Sequence, residues 1–201
     1  MAILDYGMGN LRSVEKAFEQ VGARAVRTRD HEEVRRADGV VLPGVGAFPR
    51  AMTGVRAHGF DRLLRERVTA GVPVIGLCVG MQLLFESSTE LTGAGGIGLL
   101  AGQVRGLESD GLKIPQIGWN PVSWRRESPL VAGLPDPCPF YHVHSFAPRP
   151  VDGDVVGTAT YGAEFASVVA RPPVYGVQFH PEKSGRDGLA LLGNFVRLCV
   201  A

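Results

Sequence analysis

Val72-Pro73-Val74-Ile75-Gly76-Leu77-Cys78-Val79-Gly80-Met81-Gln82-Leu83-Leu84-Phe85 runs from an apolar, strand-like segment into the start of a helix. Val72–Ile75 reads as a buried strand and Met81–Phe85 as helix. Between them glycine stands two positions either side of the segment's centre, Cys78, in the G-x-nucleophile-x-G pattern of a nucleophile elbow. A residue on such a turn holds a strained backbone, and larger flanking side chains would crowd the strand–helix approach. The pattern predicts a thiol presented at the carboxyl edge of a sheet, beside the positive end of a helix.

A single cysteine in an apolar stretch serves equally well as core packing, so a second segment decides. His180-Pro181-Glu182 follows the strand-like run Val174–Phe179. In an extended chain, residues two apart share a face, and Pro181 keeps His180 out of the helical region. Glu182 can then bond one imidazole nitrogen and leave the other for the thiol. Nucleophile, base and orienting carboxylate are the parts of a catalytic triad.

Working outward, the first half alternates strand and helix. Ala2–Leu4 is a short strand ending in the turn-rich Asp5–Asn10. Leu11, Val14, Phe18 and Val21 recur at helical spacing, with Gly22 as a stop. A strand over 23–28, a short helix over 32–37, a strand over 39–42 and a helix over 60–70 follow. Such alternation predicts an α/β fold with a mainly parallel open sheet and helices on both faces. The second half holds strand candidates at 102–107, 113–119, 140–146, 166–170 and 174–179, with Arg171-Pro172-Pro173 as a hairpin-type turn. These form an antiparallel extension. Ser184-Gly185-Arg186-Asp187 reads as a capping sequence for a last helix through Leu198. With no repeat or low-complexity linker, one domain over 1–201 is expected.

Chemistry in such sheets gathers beyond the carboxyl ends of the strands. The loops at 5–10 and 43–48 and the elbow all fall there. Gly44-Val45-Gly46 admits close approach of backbone N–H groups to a ligand, so an N–H of Val45 and that of Val79 can bind an oxyanion. The same glycines also fit a plain turn into a helix.

Composition bounds the class. A 201-residue chain with 45% hydrophobic and 20% charged residues has the make-up of a globular domain with a real core. A net charge of +1, with arginines interleaved among acids, gives no electrostatic case for nucleic acid or a membrane surface. Neither a membrane span nor a signal peptide is indicated. Three widely spaced cysteines argue for a reducing compartment, and against a disulfide framework or zinc. A cytoplasmic protein without metal or cofactor is expected. His142 and His144 alternate on one strand face, but no third ligand accompanies them.

Pro43-Gly44-Val45-Gly46-Ala47-Phe48, Gly76–Phe85 and His180-Pro181-Glu182 together resemble the class I (triad) glutamine amidotransferases, whose motifs are PGxGxF, GxCxGMQLLF and HPE. Asp5–Leu11, Ile117-Gly118-Trp119-Asn120, Tyr141–Phe146 and Lys183-Ser184 further resemble the glutaminase subunits of imidazole glycerol phosphate synthases, nearly end to end. His142 stands where that branch usually has an aromatic, and Phe146 where tyrosine is usual. The resemblance implies that Cys78 attacks the side-chain amide of glutamine, His180 moves the protons and Glu182 orients it. Gly44, Gly46, Gln82, Ser145 and Phe146 become substrate-holding positions, although Gln82 alone reads as a helix-surface residue and Ser145 as an ordinary strand serine. Ammonia in water near neutrality is mostly ammonium, which cannot attack, so a dry conduit to a partner is implied. By the resemblance the partner is a (β/α)8 cyclase subunit in a heterodimer, met by Asn10, Trp119, Tyr141 and Lys183. Core packing is the competing reading for Trp119. A glutaminase for another synthase, anthranilate or pyridoxal phosphate, and an inactive regulatory module are the rival readings.

Overall fold

In the computed structural model, which describes residues 1–151 and 153–200, strands and helices alternate through the first half of the chain. Strand β1 (Ala2–Leu4) leads through α1 (Leu11–Gln20) to β2 (Val26–Thr28), α2 (His31–Arg36) and β3 (Val40–Leu42). Then come α3 (Phe48–Ala57), α4 (Phe60–Thr69), β4 (Val74–Leu77) and the short α5 (Val79–Leu83). The local causes are plain. Helix α1 buries Val14, Ala17 and Phe18 on one face, and Asn10 caps it by accepting the Ser13 N–H. Asp30 caps α2, whose acids Glu32 and Glu33 sit in the first turn and Arg35 and Arg36 in the last, matching the helix dipole.

Helix α3 goes beyond the sequence reading, which has helix only over 60–70. Its N-cap, Ala47, offers no side-chain acceptor. The cap comes instead from Glu90, whose Oε2 accepts the Phe48 N–H at 2.7 Å. Once started, the segment buries Phe48, Ala51, Met52 and Val55 against the core.

The second half is strand-rich: β5 (Ser87–Ser88), β6 (Ala94–Gly95), β7 (Gly102–Gly106), β8 (Gln116–Trp124), β9 (Cys138–His144), β10 (Phe146–Pro150), β11 (Val155–Tyr161), β12 (Ala163–Arg171) and β13 (Val174–Val177). Helix α6 (Gly185–Cys199) closes the fold. Strands β10 and β11 go unread in the sequence, and β8 runs further than 113–119 suggests. The β12–β13 turn falls where Arg171-Pro172-Pro173 predicts it, with Arg171 opposite Val174.

The large sheet has the order β2-β1-β3-β4-β13-β12-β11-β8-β9. It is parallel from β2 to β13 and antiparallel from β13 to β9. A second sheet, β10-β7-β5-β6, packs beside it. The inner parallel strands β1, β3, β4 and β13 are buried on both faces, as near-continuous apolar runs require, while β2 is an exposed edge. Leu4, Leu42 and Val74 face a core built with α3, α4 and α5. Ile3, Val41, Ile75 and Leu77 face the other, where Phe18 of α1 meets Phe195 of α6 edge-on at 6.4 Å. Among the described residues no helix is long and apolar enough to cross a membrane.

Candidate active site

The sheet register assembles the site. Strands β4 and β13 are parallel neighbours with Leu77 beside Val177, so the residues just past their carboxyl ends, Cys78 and Gln178, emerge side by side. The Cys78 N–H continues the ladder to the Val177 carbonyl at 2.8 Å. Its φ of 53° and ψ of −114° are the strained elbow that the glycine spacing predicts. Both glycines are needed for space. A Cβ on Gly80 would overlap the Leu42 carbonyl oxygen, and one on Gly76 would lie 2.6 Å from the Gly80 backbone. Helix α5 has little more than one turn, so the unbonded N–H groups of its first turn, more than a long macrodipole, define the positive end beside the sulfur.

His180 lies just past β13, and its backbone N–H is held by the Tyr141 carbonyl at 2.9 Å. Nδ1 bonds Glu182 Oε1 at 2.9 Å, with only 8% and 2% of the two side chains exposed. The pairing is the expected one but its geometry is not. Pro181–Lys183 form a 3-10 turn with Pro181 at its start, so Glu182 reaches His180 across a turn and not along an extended strand. Ser184 precedes α6 without capping it. Its hydroxyl donates to the His180 carbonyl at 2.7 Å and accepts the Tyr141 N–H at 3.0 Å, pinning the turn to β9.

Burial opposes a charge on His180. The Cys78 sulfur and the Glu182 carboxylate, through hydrogen bonds and charge, outweigh it and raise the pKa to about 10. Both partners therefore favour the protonated ring, with Nδ1–H on Glu182. The neighbouring histidines behave oppositely. Burial lowers His142 to about 3 and His144 to about 4. His142 is fully enclosed, its Nδ1 donating to the Phe140 carbonyl and its Nε2 accepting from Ser167 Oγ. That makes it a structural residue.

Cys78 and His180 open into one cavity of about 300 Å³, walled by Val45, Gly46, Val79, Gln82, Glu90, Pro115, Val143, His144, Ser145, Phe146 and Lys183. Of the residues singled out from sequence, Val45, Gly46, Gln82, Ser145 and Phe146 thus reach it. Gln82 is only 3% exposed and so is no helix-surface residue. Gly44 is buried behind the wall. A Cβ there would stand 2.7 Å from the Gly80 nitrogen and 2.8 Å from Tyr6 Oη, so its role is to let the 43–46 loop close on α5. The Tyr6 hydroxyl, itself buried, donates to the Pro43 carbonyl at 2.6 Å and fixes that loop. Among the described residues nothing accepts a hydrogen bond from the N–H of Val45 or Val79.

Two residues at the site carry no sequence signal of their own. Glu90, in a glycine-rich loop, brings its carboxylate to the wall, while Gln178, read only as part of a strand, lies fully buried against the sulfur. Outside the cavity, Trp119 is 59% exposed, which excludes core packing. It meets half-buried Tyr141 edge-on at 6.1 Å, beside exposed Ile117. Asn10 and Lys183 are exposed on the same carboxyl-edge side as the triad, Asn10 at a recess shared with His180 and Glu182.

The family model for glutamine amidotransferase class-I matches residues 2–199. The imidazole glycerol phosphate synthase subunit HisH of Bacillus cereus (strain G9842) is 49% identical over 195 residues, covering 97% of this chain and 93% of its own. The subunit of the same name from Moorella thermoacetica is 47% identical over 98% of this chain and 94% of its own. A crystal structure of a glutamine amidotransferase superposes with a TM-score of 0.75 at 20% identity, over 100% of this chain and 99% of its own, a likeness of fold. The chain belongs to the class-I glutamine amidotransferases.

Proposed function

We propose that this chain is the glutaminase subunit of an imidazole glycerol phosphate synthase, releasing ammonia from glutamine and passing it to a separate cyclase subunit. The observation that carries the reading is the intact Cys78–His180–Glu182 set at the end of parallel β4 and β13, in a chain nearly half identical to such subunits. The Cys78 sulfur attacks the glutamine side-chain amide carbon. The N–H groups of Val79 and Val45 hold the tetrahedral oxyanion. The His180 imidazolium gives its proton to the departing nitrogen, releasing ammonia and leaving a thioester. Neutral His180 then takes a proton from water, whose oxygen adds to the thioester; the sulfur leaves as thiolate beside the renewed imidazolium, and the released glutamic acid gives its proton to solvent. Glu182 keeps Nδ1 protonated throughout, so that Nε2 faces the reaction.

Gln82, Ser145 and the backbone around Gly46 and Phe146 would hold the amino-acid end of the substrate, with Glu90 the anionic complement to its ammonium group. Exposed Trp119 with half-buried Tyr141, Ile117, Asn10 and Lys183 form the surface for the cyclase, whose barrel would receive ammonia without exposing it to water. One domain over 1–201 and residence in the cytoplasm belong to the same reading, the latter because the mechanism needs Cys78 as a free thiol.

The test is glutamate release by the chain alone, with a cyclase subunit, and with the cyclase plus its nucleotide substrate. A large rise with both present, abolished by Cys78→Ala while synthesis from ammonium salt continues, is the expected result. No rise, with the cyclase still competent on ammonium salt, would send the chain to another synthase or to a regulatory role.

A further inference from the structure

Gln178 is a buried amide beside the nucleophile, and the triad does not account for it. Its side chain has no exposed surface, and an amide removed from water must find partners or cost stability. Its partners define a chain of hydrogen bonds with one possible polarity. The Phe146 carbonyl, which can only accept, receives Gln82 Nε2 at 2.9 Å. The same NH2 group reaches Gln178 Oε1 at 3.1 Å. Gln178 must therefore present its own NH2 on the other side, where Nε2 lies 3.8 Å from Cys78 Sγ. Turning either amide over would set NH2 against NH2 or carbonyl against carbonyl. The sulfur also lies 3.8 Å from the Val143 carbonyl, an acceptor for the thiol proton that has nothing to offer once that proton is gone.

We infer that Gln178 is a positioning residue for the glutaminase reaction, coupling the Cys78 sulfur to the substrate-facing amide of Gln82. The inference rests on the reading of the site given above and deepens it. Two consequences follow from the polarity. The N–H of Gln178 holds the sulfur in line with the cavity after its proton has moved. The carbonyl of Gln178, with that of Phe146, takes up the NH2 of Gln82. Gln82 Oε1, to which no described residue donates, is thereby turned toward the cavity as an acceptor for substrate N–H. Register explains why position 178 does this. It is the residue after β13 as Cys78 is the residue after β4, and those strands run side by side, although the two residues are 100 positions apart.

Two variants of similar volume separate the two contacts. Gln178→Met removes both the donor to sulfur and the acceptor for Gln82. Gln178→Glu keeps an acceptor for Gln82 and sets an oxygen against the sulfur. Each is measured as the complex with the cyclase subunit, by glutamate release under acceptor nucleotide, and on the chain alone by the rate of Cys78 alkylation with iodoacetamide. Both variants should slow alkylation and lower kcat by about 10- to 100-fold, the scale of one hydrogen bond to a charged group. KM should rise several-fold in the Met variant and stay near wild type in the Glu variant. Co-elution of each variant with the cyclase subunit in size-exclusion chromatography reports that the chain is folded and docked, and a variant failing it leaves the other to decide. Wild-type alkylation and kcat in a docked variant, or equal KM changes in both, would overturn the inference. A wild-type complex that releases no glutamate would instead refute the proposed function, and alkylation would still test the contact with sulfur.

Discussion

Replacing Gly44 with alanine tests whether the 43–46 loop and α5 form one oxyanion site. Gly44 has no left-handed backbone to protect, so the methyl group acts through space alone. Its Cβ would lie 2.7 Å from the Gly80 nitrogen, 2.8 Å from Tyr6 Oη and 3.0 Å from Val79 Cβ. Ordinary contact begins at 3.4 Å, so loop and helix must part by about 0.7 Å. Helix α5 cannot yield sideways, since Gly80 already rests on the Leu42 carbonyl. An oxyanion held by Val79 at about 2.9 Å would then meet the Val45 N–H near 3.6 Å, beyond a useful hydrogen bond. Loss of one such donor costs about 2.7–4 kcal/mol of transition-state stabilisation, or a fall in kcat of about 10²–10³. Stability should drop by about 1–3 kcal/mol from overpacking, leaving the chain folded. The assay is steady-state glutamate release by the complex under saturating acceptor, with ammonium-dependent synthesis as the control. A kcat within about threefold of wild type, far short of one oxyanion donor, would refute the two-loop oxyanion site.

Glu182→Gln should lower kcat by about 10³–10⁴ with little change in KM, because an amide can present N–H to Nδ1 and stabilise the wrong tautomer; a loss below tenfold would deny Glu182 its orienting role. Stability should be greatest near pH 6.5. The raised pKa of His180 stabilises the fold fully below its unfolded value and is lost as pH climbs through about 10. His142 and His144, depressed to about 3 and 4, favour the fold while neutral, and that advantage is lost as pH falls below 6.5. Denaturation across pH should thus show an acid limb that His142→Phe with Ser167→Ala makes shallower by about 1.4 kcal/mol per pH unit, one proton's worth; an unchanged limb would count against His142 as its source. Trp119→Ala should weaken cyclase binding by about 10- to 100-fold while leaving the isolated chain's melting temperature nearly unchanged, since the ring is 59% exposed. Calorimetric titration with unaltered affinity would move the interface elsewhere.

What was legible in the sequence was local. The strands of the parallel half announce themselves as apolar runs, α1 by its period, and the elbow by two glycines whose absent side chains are what the close approach of β4, α5 and the Leu42 carbonyl demands. What was illegible depends on partners distant in the chain. Helix α3 is capped by Glu90 from 42 positions away, and its own N-cap, Ala47, has no capping side chain to announce it. The place of Gln178 follows from the parallel register of β4 and β13, which periodicity does not encode. His180 and Glu182 meet across a 3-10 turn and not along a strand, since Pro181 opens such a turn as readily as it enforces extension. Trp119, ambiguous as sequence, is resolved by its exposure beside Ile117.

The position of β13 between β4 and β12 sets an order of events during synthesis. Cys78 and its strand leave the ribosome long before the strand that brings His180. Until β13 arrives, β4 is an open parallel edge carrying Val74, Ile75 and Leu77, a surface prone to wrong pairing and suited to chaperone capture. The nascent chain therefore holds a thiol without a base. A product truncated before β13 would lack glutaminase activity and keep its sheet split between the two halves. Slotting the late strand into the middle of the sheet makes completion of the fold and completion of the triad a single step, so glutamine is spared until the chain is whole enough to use it.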